Sequence, residues 1–98
     1  MVNPYIDEQH DDFFVRTFDA ATDDSELVWH RDRFRREVSV ISGEGWQLQY
    51  DNELPIDLVK GMNYFIPEMY YHRLLRKSDC TDTLVLKIIE AKTPTLHK

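Results

Sequence analysis

The sequence predicts an all-β sandwich or barrel built from about eight short strands. Two observations carry this. Short segments that alternate, or that are rich in β-branched and aromatic residues, recur at close spacing, and turn-forming residues separate them. No segment shows convincing 3.6-residue periodicity. The three glycines, Gly43, Gly45 and Gly61, each fall between apolar runs, where a sheet protein needs its turns.

The expected strands are FFVRTF (13–18), ELVWHR (26–31), EVSVISG (37–43), WQLQY (46–50), LPIDLVK (54–60), YFIP (64–67), YHRLLR (71–76) and TLVLKII (83–89). The separators are ATDDS, GEG, DNE, KGMN and KSDCTD, all of them rich in Gly, Asp, Asn or Ser. The nearest approach to a helix lies around residues 53–60, and Pro55 weakens it. Residues 1–10 and 93–98 read as loosely held ends. There are no repeats and no low-complexity segments.

At 98 residues the chain is one domain, 1–98, with no room for a second core. Its 42% hydrophobic and 31% charged residues are ordinary for a globular protein and too apolar for a disordered one. No apolar run approaches a membrane span, and no secretory leader is expected from MVNPYIDEQHDDFF. A net charge of −6 argues against nucleic acid as the partner. The basic run Arg31, Arg33, Arg35 and Arg36 reads first as pairing with surplus carboxylates. Cys80 is the single cysteine, so no internal disulfide can form, and a cytoplasmic location is the default expectation.

The chemistry-bearing residues are His30, Asp32 and His72. In a strand, residues i and i+2 share a face, so His30 and Asp32 are expected to project together. His72 lies far along the chain, after a Gly61-to-Pro67 segment. Two imidazoles and a carboxylate suit a non-haem Fe(II) site or another divalent ion, and the ligands alone do not choose between Fe, Mn, Zn and Ni. A lone buried histidine is more often a hydrogen-bonded core residue than a ligand; two of them with a carboxylate make a different case.

The string His30-x-Asp32-(x3)-Arg36-(x6)-Gly43 resembles the first motif of the cupin superfamily, and Gly61-(x5)-Pro67-x-Met69-(x2)-His72 resembles the second. The resemblance covers about residues 26–88 and implies a small single-domain cupin, a jelly-roll barrel or double-stranded β-helix of antiparallel strands. The motif is altered. Asp32 stands where a second His is usual, Arg36 where a Glu is usual, and Met69 where a Gly is usual. An inward Arg36 could pair with Asp32 and compete with a metal, or could bind an anionic group of a ligand beside a three-ligand metal.

The same resemblance suggests that Gln47 and Gln49 face the cavity as ligand-binding groups, while strand parity puts Tyr70 on the face of His72 at the rim, where it would close the pocket unless it simply packs in the core. Trp46, Leu48 and Tyr50 would then face outward as the interface of a homodimer. The opposite register, with Trp46 and Leu48 in the core and the glutamines wet, is the alternative. Two functions follow. One is a metal-dependent cupin that binds or transforms a polar or anionic small molecule. The other is a non-catalytic metabolite-binding or regulatory cupin that lacks metal.

Overall fold

The computed structural model describes residues 4–91. The chain folds into β1 (Tyr5–Gln9), β2 (Phe14–Phe18), a 3-10 turn (Asp24–Glu26), β3 (Arg36–Ser42), β4 (Trp46–Tyr50), β5 (Ile56–Asp57), β6 (Asn63–Ile66), β7 (His72–Arg76) and β8 (Leu84–Glu90). A five-stranded sheet runs in the order β1-β2-β8-β3-β6, and a three-stranded sheet in the order β5-β4-β7. All pairings are antiparallel. The expectation of an all-β fold of eight antiparallel strands holds, but the two sheets do not close into a barrel. No described helix is long and apolar enough to cross a membrane.

Alternation places the core. Along β3, Val38 and Val40 are buried; along β8, Leu84, Leu86 and Ile88 are buried; β2 contributes Phe14 and Phe18. The smaller sheet answers with Trp46 and Leu48. A bulge between Val40 and Ser42 bends β3 toward the corner at Gly43. There φ is +115°, and an added Cβ would stand 2.7 Å from the Thr83 carbonyl oxygen, so only glycine fits.

The β4 register corrects the interface expectation. Trp46 and Leu48 are 0% and 1% exposed, and Tyr50 is half-buried against the same core. They form no outward face for a homodimer. Gln47 and Gln49 point outward instead, donating to Asp57 Oδ1 and to the Glu53 carbonyl, both at 2.9 Å. A one-residue shift of register moves a whole set of side chains across the sheet. Here burial of the large apolar set decides it, aided by the Trp46 indole N–H, which donates to the Asp82 carbonyl at 2.8 Å.

Three other expectations change. Residues 5–9 are no loose end: they pair with β2 from Tyr5↔Phe18 to Gln9↔Phe14. The segment 93–98 lies outside the described residues. Residues 26–31 form no strand. Asp23 caps the 3-10 turn through Ser25 N, and the chain then continues without regular structure until His30 makes an isolated bridge with His72. Of 54–60, Ile56–Asp57 forms the strand and Leu58 N adds a bond to the Trp46 carbonyl at 2.9 Å.

Candidate metal centre and cavity

The long connection from β2 to β3 carries His30 and Asp32, whereas His72 opens β7. Two backbone bonds join these elements: His30 N donates to the His72 carbonyl at 3.0 Å, and His72 N donates back at 2.9 Å. A third tie joins the same regions, from Met69 N to the Asp32 carbonyl at 2.7 Å. Met69 occupies the left-handed region, φ +59°. That explains why the second motif usually has a glycine there. The sequence-distant halves of the site are thus fixed by main chain before any side chain acts.

The side chains converge. His72 Nε2 lies 3.2 Å from Asp32 Oδ2, and His30 Nε2 lies 3.8 Å from Asp32 Oδ1. The imidazole centroids are 4.3 Å apart, and one ligand atom from each of the three residues falls within 4.8 Å of the others. His72 is almost wholly buried, with 4% of its side chain exposed, whereas His30 at 44% faces the opening.

Each ring is oriented by its other nitrogen. His30 Nδ1 bonds the Val28 carbonyl at 3.0 Å, and His72 Nδ1 bonds the Tyr70 carbonyl at 2.8 Å. A carbonyl only accepts, so each Nδ1 carries the proton. In the neutral rings both Nε2 lone pairs are therefore turned toward the carboxylate. Such second-nitrogen bonds are the usual means of fixing a metal-binding tautomer.

Arg36 does face inward. Its Nη1 lies 3.2 Å from Asp32 Oδ2, and its Nε donates to Glu90 at 2.9 Å. The two residues are neighbours across β3 and β8. Neither the Arg36 nor the His72 contact is aligned as a hydrogen bond to Asp32 Oδ2, which stays buried without a directed donor. Burial works to raise the Asp32 carboxyl. The close approach of the His72 ring and the positive Arg36 guanidinium outweigh it and hold the pKa below the usual carboxylate value. Glu90 was not singled out from the sequence. The alternation Leu84, Leu86, Ile88, Glu90 already put it on the inner face.

The trio and Arg36 stand in the wall of a cavity of about 720 Å³ between the sheets. Most of the remaining wall is apolar, including Phe18, Leu27, Val38, Leu48, Leu74 and Leu86. That size and lining suit a small organic molecule. Gln47, Gln49 and Tyr70 do not line it. Tyr70 is exposed and lies edge-on to Tyr50, with centroids 5.8 Å apart, because the turn at Met69 carries it to the outside. Arg16, which the sequence reading passed over, does line the cavity.

Comparison of the sequence with protein-family models and with curated proteins gives no match. Comparison of the structure does. A cupin domain from Bordetella pertussis superposes with a TM-score of 0.64 at 22% identity, over 95% of this chain and 99% of that one. An RmlC-like cupin protein with a double-stranded β-helix fold, from Methanocaldococcus jannaschii, gives 0.68 at 13% identity, over 92% and 82%. The Fe(II) form of HppE gives 0.62 at 15% identity; it covers 81% of this chain, which spans 41% of the HppE chain. The fold is therefore that of the cupins, the RmlC-like double-stranded β-helix.

Proposed function

We propose that His30, Asp32 and His72 hold a divalent metal ion at one wall of a cavity that receives a small organic molecule. One observation carries the reading: both Nδ1 protons are committed to carbonyls, so two lone pairs and a buried carboxylate oxygen without a directed donor meet at one point. Three acceptors cannot satisfy one another, and a divalent cation satisfies all three. The donor set fits Fe, Mn, Zn or Ni, and the likeness to an iron(II)-containing cupin is consistent with it.

When bound, such an ion supplies Lewis-acid polarisation of a ligand oxygen. The residues of this chain do the rest. His72 and Asp32 form the buried side of the site, and exposed His30 the side facing the opening. Arg36 neutralises part of the Asp32 charge and is itself held by Glu90. The apolar walls exclude water from a bound molecule.

The Arg36 contact favours a second reading, a metal-free metabolite-binding cupin in which Arg36 and protonated imidazoles satisfy Asp32. Thermal unfolding separates the two. Ligand at one hundred times Kd stabilises a fold by about 2.7 kcal/mol. For a domain of this size that is a Tm rise of roughly 10 °C or more. Metal-free protein should show such a rise with at least one of Fe(II), Mn(II), Ni(II) or Zn(II), and the rise should vanish in His72→Ala. An unchanged wild-type Tm with all four ions, or an equal rise in the variant, would remove the metal from the account.

A further inference from the structure

We propose that Arg16 is a recognition point for a carboxylate carried on an apolar body in the same cavity, and that Asp7 occupies its place when the cavity is free. The proposal rests on the reading that this cavity receives a small molecule, and it adds what that molecule carries. Arg16 lies on the inner face of β2 between buried Phe14 and Phe18, and 12% of its side chain is exposed. Its Nε and Nη2 donate to the two carboxylate oxygens of Asp7, each at 2.8 Å. The guanidinium lies 3.6 Å from the Tyr5 ring centroid and 5.2 Å from that of Phe14.

Stability alone is a poor reason for this arrangement. Asp7 is exposed, and an ion pair open to solvent contributes only about 0–1 kcal/mol. What the geometry does provide is a flat fork held against the Tyr5 ring, in a wall that also contains Leu48, Leu58 and Leu86. The bidentate Asp7 shows which anion the fork accepts: a planar carboxylate.

Asp7 is also a replaceable partner. It comes from β1, an edge strand that among the described residues pairs with β2 alone. An incoming carboxylate can take over the fork while Asp7 turns to solvent, so the charge count at Arg16 is unchanged. Arg36, whose guanidinium lies 5.6 Å from the Phe14 ring centroid, is already committed to Asp32 and Glu90. The cavity wall thus carries two guanidinium groups beside a largely apolar lining. The ligand class this fits is an amphiphilic carboxylic acid.

Calorimetric titration of the full chain with decanoate and with decanol, in the presence of a chelator, tests this. Both share one apolar body, and the chelator removes metal as an alternative carboxylate partner. Decanoate should bind at least tenfold more tightly than decanol, and Arg16→Met should abolish that preference. Asp7→Asn, which removes the internal competitor, should tighten decanoate several-fold, and it decides the matter if Arg16→Met does not fold. No preference in the wild type, a preference that survives Arg16→Met, or its loss in Asp7→Asn overturns the assignment. The metal-dependent Tm rise is read separately on Arg16→Met, so failure here and failure of the metal site remain distinct.

Discussion

Replacing Met69 by glycine should stabilise this protein, although it deletes an entire side chain. Met69 holds φ +59° in the turn before His72. For an L-residue this region costs about 1–2 kcal/mol, a cost glycine escapes. Against that, glycine loses more chain entropy on folding, about 0.4–1 kcal/mol. The Met69 side chain is 49% exposed and belongs to no buried cluster, so little packing is lost. The balance is a gain of about 0.5–1 kcal/mol, or roughly 3–6 °C in Tm. Met69→Ala is the control. It removes the same outer atoms but keeps the Cβ, so it should gain nothing. Urea midpoints of the three proteins at pH 7 measure this. A Met69→Gly protein no more stable than Met69→Ala would refute the strain argument.

Other outcomes follow from the register and from the buried carboxylate. Trp46→Ala should cost about 3–5 kcal/mol, because a fully buried indole and its bond to Asp82 are lost, while Gln49→Ala should stay within about 0.5 kcal/mol. Denaturant titration showing the reverse order would restore the outward-facing Trp46. Asp32 has a folded-state pKa below its ordinary value, so it contributes stability above pH 4 that disappears as pH falls through the folded pKa. Metal-free protein should therefore lose stability between pH 5 and pH 3 more steeply than Asp32→Asn. Parallel acid limbs in urea titrations would show that Asp32 is not held as described.

The architecture was legible because alternation and turn residues speak to burial, and burial decides strands. Strands β2, β4, β5 and β7 fall within the segments read from the sequence, and β3, β6 and β8 each begin or end one residue outside theirs. The misses have physical causes. Strand β1, YIDEQ, buries almost nothing at an edge and so lacks an apolar pattern; its strand state comes from pairing with β2. The segment carrying Val28 to Arg31 has strand-like residues, but only His30 finds a partner.

The β4 error is more instructive. The apolar alternation of Trp46, Leu48 and Tyr50 pointed to the core, and the family pattern pointed the other way; the indole N–H had a partner available, and burial prevailed. At the site, the trio and Arg36 were visible as residues. What could not be read was that an isolated bridge, rather than strand parity, brings His30 to His72. The partners Glu90 and Asp7 were hidden for a similar reason, since each meets its arginine only across a strand pairing.

The central claim is that three acceptors at His30, Asp32 and His72 meet to hold one cation. The most direct test is a crystal structure of protein loaded with Mn(II), Fe(II), Ni(II) or Zn(II), with anomalous scattering recorded at the metal's absorption edge. The account predicts a single strong peak about 2.0–2.2 Å from both Nε2 atoms and from an Asp32 oxygen, the distances such ligands adopt. A site without a peak, with Asp32 still bound by Arg36, would contradict it.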